Sequence, residues 1–176
     1  MEIIKTSIEG LVIIEPKVFK DERGYFMESY KESFIKENFP DIHFIQDNES
    51  KSTYGVLRGL HFQKPPFEQT KLVRVIDGEV LDVAVDLREN SPTYGNWESI
   101  ILSGKNKKQF FIPKGFAHGF VVLSKSVVFS YKVDNVYSPD YEDGIYYKNP
   151  LLNIDWRLNT NDIIISDRDK KLNFKL

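Results

Sequence analysis

Residues 79–87 read EVLDVAVDL, and the way they alternate decides the fold. Successive side chains of a β-strand point to opposite faces. One face of this run carries Leu81, Val83, Val85 and Leu87; the other carries Val80, Asp82, Ala84 and Asp86. A continuous apolar face requires cover from a second sheet or a second subunit. A face that mixes two carboxylates with small residues suits the interior of a barrel around a polar ligand. The alternative is that Asp82 and Asp86 lie exposed on an edge. The pattern alone leaves both readings open.

Working outward, further short β-rich runs occur at 11–15 (LVIIE), 71–77 (KLVRVID), 97–103 (WESIILS), 109–112 (QFFI), 119–123 (GFVVL) and 126–133 (SVVFSYKV). Turn residues separate them: Asp77-Gly78, Ser91-Pro92, Gly104, Pro113-Lys114-Gly115 and Ser138-Pro139. Many short strands at this spacing predict an all-β sandwich or barrel. One short helix is expected near 30–38, with Tyr30, Phe34 and Asn38 on one face. The last twenty residues offer one more helical turn. No internal repeat or low-complexity linker interrupts the chain, and 176 residues fit one domain.

Composition narrows the function. Charged residues make up 28% and apolar ones 41%, and the formal charge is −2, which gives no electrostatic reason to expect nucleic acid or an anionic membrane as partner. Local basic clusters could still hold a phosphorylated small molecule. The chain has no cysteine, so disulfides, thiolate catalysis and cysteine-ligated metal sites are excluded. No stretch approaches the ~20 apolar residues of a membrane span, and the N-terminal MEIIKTSIEG does not read as a secretory signal. A cytoplasmic location is expected.

The polar residues with chemical potential are few. There are three histidines, His43, His61 and His118, and none are near neighbours, so nothing in their spacing supports a metal site. His61 sits in VLRGLHFQ (56–63) between Leu60 and Phe62. Histidine titrates near neutrality and serves as base or acid; a histidine so placed is more often a structural residue with its bonds satisfied. Tyr131 shares a strand face with Val127, Phe129 and Val133, where a core tyrosine is the plain alternative. Lys71 opens an apolar run, Arg23 lies in the turn-like DERGYF, and SDRD (166–169) offers carboxylates in what reads as a solvated turn.

Taken together, DERGYFMESY (21–30), QDNESKS (46–52), VLRGLHFQ (56–63), KLVRVIDGEVLDVAVDLR (71–88), SPTYG (91–95), FIPKGFAHGFVVLS (111–124), YKVDNVYSP (131–139) and ISDRD (165–169) resemble the dTDP-4-dehydrorhamnose 3,5-epimerase family. The likeness runs in order over nearly the whole chain. It implies a cupin-type jelly-roll barrel with a few short helices. It also implies an enzyme without cofactor or metal, and a homodimer whose second subunit covers the apolar strand face. The family substrate is dTDP-4-dehydro-6-deoxy-D-glucose, inverted at C3 and C5 to dTDP-4-dehydro-L-rhamnose on the way to dTDP-L-rhamnose. A single-carbon epimerase and a 3,4-ketoisomerase on the same dTDP-sugar are the nearest alternatives. A silent sugar-nucleotide binder and a metal-dependent oxygenase are the others.

The resemblance also implies roles. His61 is the base, paired with Asp169, although Asp167 is only two residues away; Asp82 is a further candidate partner. Tyr131 is the acid on the opposite face, and Lys71 lies near the developing oxyanion. Arg23 and Arg58 match diphosphate-binding positions. Phe19 and Tyr137 match positions flanking the thymine. Glu28, Gln46, Asn48, His118 and Glu142 match further substrate-binding positions. The N-terminal segment is expected to cross to the partner, so that Arg23 and Glu28 serve the neighbour's site. The chain departs from the family pattern at Thr70, Asn149 and Arg157, outside the proposed proton-transfer residues.

Overall fold

The computed structural model describes residues 1–176. Its strands are β1 (Glu2–Lys5), β2 (Val12–Glu15), β3 (Val18–Asp21), β4 (Gly24–Met27), β5 (Gln46–Thr53), β6 (Leu57–Gln63), β7 (Lys71–Asp77), β8 (Glu79–Asp86), β9 (Trp97–Ser103), β10 (Gln109–Ile112), β11 (Phe116–Val122), β12 (Ser126–Val133) and β13 (Glu142–Gly144), with one helix, α1 (Glu32–Asn38). A six-stranded sheet runs β1-β2-β10-β7-β12-β5 and a five-stranded sheet runs β13-β6-β11-β8-β9; β3 and β4 form a separate hairpin. The two large sheets face each other in the jelly-roll arrangement of an all-β, cupin-type fold.

Strand β8 shows why the chain folds this way. It lies between β11 and β9, not at an edge. Val80 and Ala84 pack inward with Val73, Val75, Phe110, Ile112, Phe120 and Phe129, the filling between the sheets. Leu81, Val83 and Val85 point outward and are also fully buried. Their cover corrects the expectation of a partner subunit. The chain's own later segment lies over them, with Ile145, Tyr147, Leu152 and Trp156 packed on the outside of the five-stranded sheet. A two-faced apolar sheet demands cover on both sides, and the chain supplies its own. The outer face of the six-stranded sheet is covered in turn by α1. Ile35 packs on Val12, Ile14, Leu72 and Phe111, and the Phe39 ring stacks on Phe111 at 3.9 Å.

Asn38 departs from the expected helix face: it is exposed, and its side chain donates to the Phe34 carbonyl at 2.8 Å. Asp86 is resolved as a structural residue. Fully buried, it accepts from Arg88 Nε at 2.8 Å, Ser91 Oγ at 2.6 Å and Thr93 Oγ1 at 2.7 Å. This ties down the SPTYG turn before β9. Burial alone would push the Asp86 carboxyl up, but these donors overcome it and hold it well below the usual carboxylate range.

Candidate active site

The open end of the sandwich holds a cleft of about 610 Å³ with walls from both sheets. His61 comes from the middle of β6, opposite His118 of β11 and Gly144 of β13. Lys71 and Tyr131 come from β7 and β12 of the other sheet. Asn48 on β5, Arg58 on β6, and Tyr137 and Glu142 from the segment after β12 complete much of the lining. Asp169 reaches the cleft from a 3-10 turn, Asp169–Lys171, on the returning tail.

His61 donates from Nε2 to Asp169 Oδ1 at 2.9 Å. A carboxylate only accepts, so Nε2 carries the hydrogen and Nδ1 is the nitrogen left free of Asp169. Asp169 is buried, and its second oxygen accepts from the Gly59 amide at 3.3 Å. Burial raises the Asp169 carboxyl; the hydrogen bond and charge of His61, with the Gly59 and Ser166 donors, outweigh it and leave the group below its ordinary value. Asp167 is exposed and pairs instead with Lys170 at 2.8 Å. The aspartate beside His61 is therefore Asp169.

The glycine inside VLRGLHFQ is required by this junction. Gly59 has φ +116°, and a Cβ there would lie 2.6 Å from Gly119 Cα. The ladder between β6 and β11 shifts register at this place, between His118 and Phe120. The irregularity frees the Gly59 amide from the ladder to hold Asp169.

Asp82 does not pair with His61. It is fully buried, and both its oxygens lie at hydrogen-bond distance from His118 Nε2, at 2.9 and 3.0 Å. Burial raises the Asp82 carboxyl against the opposing effects of His118 and Lys71. Lys71 makes no ion pair; burial pushes its ammonium down to about 8, with Glu142 and Asp82 pulling the other way. Burial likewise raises the Tyr131 phenol, opposed by Arg58 and reinforced by Glu142. No buried side-chain polar atom lacks a partner. His61, Lys71, His118 and Tyr131 all line the cleft.

Four expected residues lie elsewhere. Phe19, Arg23 and Glu28 do not line this cleft. Phe19 and Arg23 sit on and beside the exposed β3–β4 hairpin, where Arg23 pairs with Asp21 at 2.5 Å, and Glu28 pairs with Lys31 at 3.3 Å. Gln46 is exposed and donates to Asn48 Oδ1 at 2.8 Å. Two residues were missed by sequence reasoning. Arg168 lines the cleft and hydrogen-bonds Glu142, which also accepts from the Tyr137 hydroxyl. Its signal was present in SDRD, which drew attention only for its carboxylates. Gln63, the last residue of the motif, ties two loops at the cleft: its amide donates to Phe67 and Val136 carbonyls at 2.6 and 3.1 Å, and its oxygen accepts from the Ser138 amide at 2.6 Å. No group of three or more histidine and carboxylate side chains gathers as a metal would require.

This arrangement can take a proton on one wall and deliver one from the other, with the Lys71 ammonium on the same wall as Tyr131. Known proteins share its frame. A family model described as dTDP-4-dehydrorhamnose 3,5-epimerase matches residues 5–175. A curated dTDP-4-dehydrorhamnose 3,5-epimerase of Methanothermobacter thermautotrophicus is 54% identical over 168 residues, covering 95% of this chain and 90% of the relative. The crystal structure of the enzyme of that name from Elizabethkingia anophelis superposes with a TM-score of 0.94 at 51% identity, covering 98% of this chain and 94% of that one. A Legionella pneumophila dTDP-6-deoxy-D-glucose-3,5-epimerase, solved in complex with dTDP-4-keto-L-rhamnose, gives a TM-score of 0.93 at 50% identity, covering 97% and 90%. With likeness of this extent in both sequence and fold, the chain belongs to the dTDP-4-dehydrorhamnose 3,5-epimerase family.

Proposed function

We propose that residues 1–176 form one epimerase domain that converts dTDP-4-dehydro-6-deoxy-D-glucose to dTDP-4-dehydro-L-rhamnose. The observation that carries this reading is the placement of His61, held by Asp169, and Tyr131 on opposing sheets of one cleft. A ketone at C4 acidifies the C–H bonds at C3 and C5. His61 Nδ1 takes the proton from one of these carbons, and the electron pair moves onto the ketone oxygen. Asp169 fixes the tautomer and stabilises the imidazolium that forms. The Lys71 ammonium faces the oxygen where charge develops, in a site that excludes much water. Tyr131 returns a proton to the opposite face of the carbon, which inverts it. The same steps at the second carbon complete the reaction, and solvent restores both groups. No redox change occurs, so the balance needs no cofactor.

The nucleotide half of the substrate needs cations and aromatic surface. Arg58, whose Nε donates to Ser52 Oγ at 3.0 Å, stands in the cleft for the diphosphate, and Tyr137 offers a ring to the base. Phe19, Arg23 and Glu28 serve the cleft of a second subunit. Their hairpin leaves Phe19 and Phe26 51% and 66% exposed, and a two-stranded hairpin carrying aromatic side chains is stable only when packed on something. A cytoplasmic homodimer agrees with these features, with the absence of cysteine, and with the lack of any helix long and apolar enough to cross a membrane.

The test is incubation with dTDP-4-dehydro-6-deoxy-D-glucose in deuterated water, followed by NMR. Deuterium is expected at both C3 and C5. Label at one carbon identifies a single-carbon epimerase, migration of the ketone an isomerase, and no label a binding protein. His61→Ala should abolish exchange while dTDP binding survives.

A further inference from the structure

Strand β6 brings two polar side chains to the cleft, His61 and, two residues on, Gln63. The first serves the chemistry. The second is buried and committed to the protein's own backbone: Nε2 donates to the Phe67 and Val136 carbonyls at 2.6 and 3.1 Å, and Oε1 accepts from the Ser138 amide at 2.6 Å. Val136 and Ser138 stand on either side of Tyr137, the ring offered to the base. The stretch 136–138 belongs to no strand, and Tyr137 is 51% exposed. Neither a ladder nor core packing fixes such a ring. The Gln63 amide does what a neighbouring strand would do: it takes one N–H and one C=O of the chain, across a single residue. The tip of the ring is fixed from the same place. The Tyr137 hydroxyl donates to Glu142, which lies opposite Gln63 in the β6–β13 ladder. Asn135 and Gln69 brace the two loops further: Asn135 Nδ2 donates to the Pro66 and Glu68 carbonyls at 3.1 and 3.2 Å, and Gln69 Nε2 donates to the Asn135 carbonyl at 2.8 Å.

We propose, as a deepening of the epimerase reading on which it rests, that Gln63 is a positioning residue for nucleotide recognition: its amide grips the chain on both sides of Tyr137 and presets that ring for the base before substrate arrives. A preset side chain loses less freedom on binding, and the difference appears as affinity. Both N–H bonds of Gln63 are committed to carbonyls, so it acts through Tyr137. The reacting groups hang from other supports. Lys71 and Tyr131 sit in the β7–β12 ladder, the Thr70 amide beside Lys71 donates to Asp134 at 2.7 Å, and His61 is held by Asp169. Loss of the Gln63 amide therefore weakens nucleotide binding and leaves the proton-transfer geometry in place.

The test is Gln63→Met, which keeps length and bulk but removes all three hydrogen bonds. Affinity for dTDP, read by isothermal titration calorimetry, should fall ~5–50-fold, within the range that a lost base–aromatic stack spans. KM for dTDP-4-dehydro-6-deoxy-D-glucose should rise with it, while kcat changes by less than about threefold. In a Tyr137→Ala background the same substitution should weaken dTDP binding by less than about twofold, because the ring it positions is gone. An unchanged dTDP affinity, a loss that falls on kcat instead of KM, or penalties that multiply fully in the double variant overturns the proposal. A merely structural role would lower the melting temperature with a penalty that survives Tyr137→Ala. Presetting is also read in the wild-type chain, whether or not the variant folds. In the unliganded protein the Ser138 amide should exchange with solvent ~10-fold or more slowly than an open-loop amide. A Ser138 amide that exchanges freely until dTDP is added overturns the proposal equally. If the wild-type protein leaves no deuterium in the sugar, the epimerase reading itself falls, whereas normal labelling with unchanged dTDP affinity in Gln63→Met counts against Gln63 alone.

Discussion

At the scale of single residues, the cleft divides its ionisable groups by environment. Asp169 is held anionic by its donors, Tyr131 is held protonated by burial, and Lys71 is poised by burial at about 8. The last of these has a visible consequence. Lys71 is cationic below about pH 8 and loses its charge as pH rises through that value. Catalysis that relies on the ammonium should therefore decline on the alkaline side from about pH 8. Lys71→Met should lower kcat ~10²–10³-fold, the range for a lost oxyanion partner, and erase that limb; steady-state kinetics across pH check both. Sequence made His61, Tyr131, Lys71 and Asp169 legible as a set only through resemblance. Taken singly, each had a plain structural reading, because what distinguishes a catalytic histidine is a carboxylate 108 residues away in the chain. Asp82 was legible as an inward carboxylate, but its partner was not. Strand periodicity gives the face and says nothing of which neighbouring strand carries the histidine.

At the scale of elements, the runs that alternate cleanly, such as β7, β8, β9, β10 and β12, could be read directly. Strand β5 could not. Its sequence, QDNESKST, is polar on both faces, because it is an edge strand whose inner residues line the cleft instead of the core. In β6 the apolar pattern is interrupted by Arg58, which lines the cleft, and by Gly59, whose amide holds Asp169. The segment from Ile145 to Trp156 was also invisible, since it is irregular and its apolar residues follow no period. Yet it replaces the partner subunit as the cover of the five-stranded sheet. Trp156 anchors it, buried and donating from Nε1 to the Tyr147 carbonyl at 3.0 Å. Trp156→Ala should destabilise the protein by about 3–5 kcal/mol, as large aromatic deletions in cores do. Urea denaturation followed by far-UV circular dichroism measures this without relying on the lost fluorophore.

At the scale of the whole molecule, the proposed dimer has a second copy bring its hairpin to each cleft. Arg23 and His61 then belong to different subunits at each cleft. Co-expression of an Arg23→Ala chain with a His61→Ala chain tests the arrangement. Each homodimer should be impaired, but every mixed dimer should contain one intact cleft, and activity should reappear on mixing. If Arg23 served its own subunit's cleft, mixing inactive chains would restore nothing. Sedimentation of the purified protein gives the subunit number independently.

His61 and Tyr131, the proposed base and acid, ride on separate sheets, and the hydrocarbon between those sheets sets how far apart they stand. Phe129, two residues from Tyr131 on β12, stacks on Phe120 of β11 at 4.2 Å between their ring centres. These rings act as a calliper. The gauge a sugar must match to be flipped is written in greasy spacers that need form no bond with it.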